Sequence, residues 1–216
     1  MDDKQAVLVL NGELHDPDFL ASFNTPAWLK IAVDGGLHYF HLAEIPPDIL
    51  IGDLDSISPT ERIWAEEQHT RILQYPIAKD ETDFELALSF ALLEKCAKIR
   101  IVAALGGRLD QTLANSFILL DPRLHDLDVR FDDGKEEVCL IRRRQIIDGK
   151  PGDIISLIPL QPVVQGVRTH QLAYPLNDED LYIHQTRGIS NVMLSETAEI
   201  EIKGGHLLCI HTRQGK

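Results

Sequence analysis

Along the first part of the chain, short apolar runs alternate with stretches whose apolar residues recur at helical spacing. The runs are AVLVL (6–10), KIAV (30–33), DILI (48–51), RILQY (71–75) and IRIVAAL (99–105). Helical patterns such as LHYFHLAE and DFELALSFALLEKC follow several of them, and PTERIWAEEQ serves the third connection. Strand followed by helix, repeated, predicts parallel strands joined by crossover helices. After Leu120 the rhythm changes. DPRLHD reads as a break, with Pro122 closing the helix before it. DVRFDDGKEEVCLI reads as a hairpin turning at Asp133-Gly134. The remaining segments, GDIISLIPL, VVQGVRTHQLAYPL, LYIHQTRGISNVML and AEIEIKGGHLLCIHT, alternate and show no helical period. The expected fold is α/β: a parallel-sheet, Rossmann-like α/β domain over 1–125, then an antiparallel β domain, sandwich or small barrel, over 126–216. The strand near Val129 is the one element that either sheet can claim.

Composition narrows the class. The chain has 216 residues, 44% hydrophobic and 25% charged, as in ordinary globular proteins. Its 34 acidic against 21 basic residues give a formal charge of −13. That argues against a nucleic-acid partner, which needs a basic face. A nucleotide substrate remains open, since a bound cation reverses the local field. No basic stretch followed by an apolar one opens the sequence, so no signal peptide is expected. No apolar run approaches the ~18 residues of a membrane span. Cys96, Cys139 and Cys209 are far apart, which suits buried thiols in a reducing compartment, and the expected location is the cytoplasm. His38 and His41 share a helix face without a third ligand and read as helix surface.

The candidate chemistry sits where the strands end. After the five runs come NGE, DGG (34–36), GDLDS (52–56), KDETD (79–83) and GGRLD (106–110). In a parallel sheet these lie along one edge, the edge where open α/β sheets bind ligands. Thr82 and Glu85 form a capping-box pattern at a helix start. Asp83 suits the helix dipole and is also a metal-ligand candidate. Asp53 and Asp55 repel each other unless a cation or proton lies between them. With Asp83 they make a hard oxygen site suited to magnesium. Gly106 and Gly107 let backbone approach a ligand, Asp110 is read as the cap of the next helix, and Arg108 offers a fork for phosphate, with Lys79 also facing it. Together these loops point to phosphoryl chemistry on a magnesium-bound nucleotide. No GxxxxGK[ST] is present, which excludes a P-loop.

The loops resemble those of the thiamine pyrophosphokinase (thiamine diphosphokinase) family. The matching stretches are DGG, PPDILIGDLDS, KDETDFELAL, LGGRLDQTLAN, SLIPL and RGISN, in order from about residue 30 to the end. The resemblance implies transfer of a pyrophosphoryl group from ATP to thiamine, releasing AMP, with magnesium as cofactor. It implies a homodimer, with a nucleotide-binding catalytic domain and a thiamine-binding, dimerising β domain. By motif, Asp53, Asp55 and Asp83 hold magnesium and act in catalysis with Arg108 and Asp110. Asp34, Gly35, Gly36, Lys79, Asp80, Thr82, Arg108 and Gln111 line the ATP site, and Ser190, Asn191 and Asp110 the thiamine side. The chain departs from the family in two places. Gln111 stands where many bacterial members have histidine, and QLAYPL lacks the glycine usual before Leu172. The rival readings are an Asp-x-Asp phosphatase, a nucleotide-sugar transferase and a nucleotide sensor without turnover.

Overall fold

The structure, a computed structural model, describes residues 4–14, 16–78 and 80–215. It divides into two compact units, one up to Asp133 and one from Gly134. In the first unit, β1 (Gln5–Val9), β2 (Trp28–Val33), β3 (Ile49–Gly52), β4 (Arg71–Gln74), β5 (Lys98–Val102) and β6 (Asp128–Asp132) form a parallel sheet in the order β4-β3-β2-β1-β5-β6. β1 and β3 are apolar almost throughout because strands covered on both faces have no solvent side to alternate with, and β5 buries all but its first residue, Arg100 included. β4 sits at the edge, and both its end residues are exposed.

β6 settles the question of the strand near Val129. It pairs in parallel with β5, Lys98 opposite Asp128. The units therefore divide after Asp133 and not at 125/126.

Helices α1 (Leu37–Leu42), α2 (Pro59–Glu67), α3 (Asp83–Leu93) and α4 (Leu109–Phe117) complete the unit. The third connection is a full helix: Ser58 caps α2 in a capping box with Glu61. Thr82 and Glu85 do the same for α3, as the sequence predicts. Asp110 is not the cap of α4. That position is Arg108, which makes no side-chain cap bond. A 3-10 turn at Pro17–Phe23, not expected from the sequence, fills the link between β1 and β2. On one face of the sheet, Val7, Val9, Ala32 and Leu50 pack with Leu20, Phe23, Leu37, Phe40 and Ala65. α3 lies against β1, β2 and β3 and buries Phe84, Ala87, Leu88 and Ala91.

The winding positions the site. The chain steps outward from β1 to β4, then α3 carries it back to β5 on the other side of β1. The connections after β1 and β5 thus lead to opposite sides of the sheet, and the crevice at the carboxyl ends of the strands lies where the order reverses.

The second unit is a β-sandwich. β7 (Glu136–Ile141), β9 (Ile154–Pro159), β12 (Asn191–Val192) and β14 (Leu207–Thr212) form one antiparallel sheet in the order β12-β9-β14-β7. β8 (Arg144–Asp148), β10 (Val163–His170), β11 (Asn177–Tyr182) and β13 (Thr197–Glu201) form the other, in the order β11-β10-β13-β8. Both contribute to one apolar core, with Ile141, Leu157 and Cys209 from the first and Ile147, Val164 and Ile200 from the second.

Candidate functional site

The crevice is built by backbone first. Beyond the ends of β1 and β5 the two chains keep pairing: Leu10 N–H donates to Val102 O (2.9 Å), Gly12 N–H to Ala103 O (2.6 Å) and Glu13 N–H to Leu105 O (3.1 Å). Across the crevice, the turn Asp34–Gly36 lies so close to β1 that a Cβ on Gly36 would stand 1.9 Å from Val9 O. A Cβ on Gly35 would stand 2.5 Å from the Asn11 amide. These two glycines are thus bare because β1 and its loop press on them, and the close packing sets the place of Asp34.

Three carboxylates meet there. Asp34, Asp53 and Asp83 each offer an oxygen within 4.8 Å of the others, and all three are half-buried. Asp34 follows β2 at φ 47°, a left-handed conformation that aspartate tolerates better than most residues. Asp53 follows β3, and buried Leu54 at φ 69° turns the chain after it. Asp83 is the first residue of α3. Burial pushes the Asp34 carboxyl above its usual range; hydrogen bonds from Ser56 and the Gly35 N–H pull it down, and the neighbouring charges of Asp53 and Asp83 push it further up. Among the described residues, Asp34 Oδ1 is buried with no hydrogen-bond partner. Converging hard oxygen donors, one lacking a protein donor, fit a divalent cation of the magnesium type.

Asp55 lies outside this trio. It is exposed, its N–H donates to Asp53 Oδ1 (3.1 Å) and its Oδ1 accepts from the Ser56 hydroxyl (3.0 Å). The structure therefore gathers Asp53 and Asp83 as the sequence suggests, but with Asp34 as the third member.

Beside the trio lies a cavity of about 340 Å³. Leu10, Val33, Phe84 and Ala103 give it an apolar wall, and Asn11, Ser56, Thr82, Gln111 and Asn115 a polar one. Thr82 and Gln111, both assigned by the resemblance to the ATP site, are among the residues that line this cavity. Asp80 is exposed, and Lys79 lies outside the described residues. Arg108 and Asp110 grip each other, Nε to Oδ1 at 3.1 Å and a terminal nitrogen to Oδ2 at 2.6 Å. Their side chains are 69% and 66% exposed, so water screens the pair and a ligand can displace it. The pairing raises the Arg108 pKa and lowers that of Asp110.

In the second unit, Ser190 sits exposed at φ 59° and donates its N–H to Ser156 Oγ (3.0 Å). Asn191 is buried, and both its amide oxygen and its amide nitrogen are bonded. Its Oδ1 accepts from Tyr174 N–H (2.9 Å) and its Nδ2 donates to Tyr174 O (2.7 Å). It clamps the backbone of the YPL stretch and leaves the Tyr174 ring 71% exposed. Sequence reasoning missed Asn11, Glu13, Ser56 and Asn115. The first two stand in NGE, where their place after the first strand was the available signal.

Comparison with known proteins gives a consistent result. Residues 20–131 match the family model described as thiamin pyrophosphokinase, catalytic domain, and residues 141–207 the one described as thiamin pyrophosphokinase, vitamin B1 binding domain. A thiamine pyrophosphokinase of Bacillus subtilis is 28% identical over 198 residues, 91% of this chain and 92% of its own. Thiamine pyrophosphokinase 2 of Oryza sativa subsp. japonica is 30% identical over 139 residues, 54% of this chain and 51% of its own. The crystal structure of a Bacillus subtilis thiamine pyrophosphokinase superposes with a TM-score of 0.88 at 27% identity, covering 98% of this chain and all of that one.

Proposed function

The chain belongs to the thiamine pyrophosphokinase family, and from that premise we propose how its loops share the work of moving a pyrophosphoryl group from ATP to the thiamine hydroxyl. The reaction yields thiamine diphosphate and AMP. The observation that carries the assignment of roles is the convergence of Asp34, Asp53 and Asp83 at the switch-point crevice.

In this reading the three carboxylates would hold magnesium, with Asp55 beside them on the same turn as Asp53. Magnesium, when bound, neutralises charge on the polyphosphate oxygens. Arg108 exchanges Asp110 for phosphate oxygens, a contact its planar fork makes in two places. Asp110, once released, is free to face the thiamine hydroxyl and accept its proton. Thr82 and Gln111 contact the nucleotide from the cavity wall, and Lys79 and Asp80, which precede α3 in the sequence, are assigned to the same site. Gly35 and Gly36 serve by letting the Asp34 turn press against β1. Ser190 meets thiamine, and Asn191 keeps the neighbouring backbone in place.

The reading includes a cytoplasmic homodimer in which the thiamine contacts come from the partner subunit. Exposed apolar residues support it: Leu109, Leu113 and Phe117 repeat along one stripe of α4, and Ile189 and Leu194 flank Ser190. No described helix is long and apolar enough to cross a membrane.

The test is to incubate the protein with ATP and magnesium, with and without thiamine. Thiamine-dependent formation of thiamine diphosphate is expected. Phosphate release that ignores thiamine would favour a phosphatase, and no turnover at all a sensor.

A further inference from the structure

We infer that Glu13 is a positioning residue for the phosphate-binding turn: its carboxylate holds the Gly107 N–H and so fixes where Arg108 presents its fork. The inference rests on the reading above, that Arg108 meets phosphate.

The geometry is specific. Glu13 follows β1, and its own N–H is tied to Leu105 O (3.1 Å), so its backbone is registered against the loop it serves. Its side chain then crosses that loop, and Oε1 accepts from Gly107 N–H at 3.0 Å. Gly106 lies beneath it. A Cβ there would come within 2.9 Å of Glu13 Cβ, Cδ and Oε2, and Gly106 and Gly107 both have positive φ, 84° and 68°. The carboxylate occupies the space that a side chain at 106 would take, so the bare double glycine and Glu13 form one device. The same loop is tied further along its length. Thr112 Oγ1 donates to Gly106 O (3.3 Å) and Asn115 Nδ2 to Ala104 O (2.7 Å). At the 107 end, the bond from Gly107 N–H to Glu13 lies next to Arg108, which stands at the cap of α4 without a side-chain cap bond.

Glu13 is exposed, so this bond adds little to global stability. Its effect falls on the placement of the turn, where a displacement near 1 Å is enough to damage a reaction. The charge itself is not needed for the hold. A glutamine at 13 keeps an acceptor oxygen of the same reach.

The experiment compares Glu13→Ala and Glu13→Gln with the unmodified protein. Amide exchange is measured on the peptide containing Gly106–Leu109, without substrates, alongside thermal stability and kinetics with ATP and thiamine. Glu13→Ala is expected to speed exchange in that peptide and lower kcat/KM for ATP about tenfold, with the melting temperature nearly unchanged. Glu13→Gln should restore both exchange protection and kcat/KM. In an Arg108→Ala background, Glu13→Ala should add almost nothing, because its effect runs through Arg108. Unchanged exchange in Glu13→Ala, failure of Glu13→Gln to rescue, or additive losses with Arg108→Ala would each overturn the inference. Faster exchange without a kinetic change would overturn the link to Arg108 and leave Glu13 a local brace only. The exchange result is independent of turnover, so it also separates this inference from failure of the proposed reaction.

Discussion

Asp34, Asp53 and Asp83 come from three separate places in the chain, the turn after β2, the end of β3 and the start of α3, and each has two other carboxylates within 4.8 Å. Without metal such a cluster opposes folding, and with metal it binds. Replacing Asp53 or Asp83 with asparagine is expected to cut turnover by about 10²-fold, as loss of a key charge stabiliser does elsewhere. The melting temperature without magnesium should hold or rise, because one repelling charge is gone. Asp55→Asn separates a direct ligand from a neighbour: loss as deep as Asp53→Asn means that Asp55 turns inward to the ion, and a loss of about tenfold or less means that it does not. Steady-state kinetics and thermal denaturation with and without magnesium read all three variants. At this scale the sequence was legible in part. Asp-x-Asp stands out because the two are adjacent in the chain, yet alternate residues of a tight turn face different ways. Asp34 joins them only because Gly36 lets its turn press on β1, which no spacing reveals.

Among elements, the starts of α2 and α3 were written in S-P-T-E and T-D-F-E, and both capping boxes form. The start of α4 was not. Aspartate three residues after Gly107 looks like a cap, but Asp110 instead pairs with Arg108. The turn at Pro17–Phe23 has no periodic signal because a single 3-10 stretch is too short to show one. Buried Asp153, entirely missed by sequence, ties the ends of the β-sandwich together. It accepts from Lys150 N–H (2.9 Å), Gln214 N–H (2.9 Å) and His211 Nε2 (2.8 Å). Asp153→Ala leaves those donors without their acceptor and should cost about 3 kcal/mol, read by chemical denaturation. Burial alone would raise the Asp153 pKa, but these hydrogen bonds outweigh it and hold the carboxyl below its usual range. Its contribution is therefore full above the unfolded value of about 3.9 and is lost as the pH falls through the lower folded value. Stability measured against pH should fall more gently below about pH 4 in Asp153→Ala than in the unmodified protein.

For the whole molecule, the order of loops and the change of rhythm after Leu120 were enough to read an α/β unit followed by a β unit. The exact division was not, since nothing in the pattern of the strand at Val129 assigns it to one side of the boundary. The dimer is tested by complementation. Asp53→Asn disables the ATP side, and Ser190→Arg puts a cation where cationic thiamine is proposed to sit. Refolded together in equal amounts, the two variants give about half mixed dimers, and sites shared across the two-fold axis would recover in about a quarter of cases. No recovery, with mixed dimers shown to form, would place each site within one chain. The central claim, transfer of a whole pyrophosphoryl group, is tested most directly by following ATP labelled at its β-phosphorus in the presence of magnesium and thiamine. The account predicts that the label appears in thiamine diphosphate, in amounts equal to the AMP released. Label remaining in ADP, with thiamine monophosphate as the product, would contradict it.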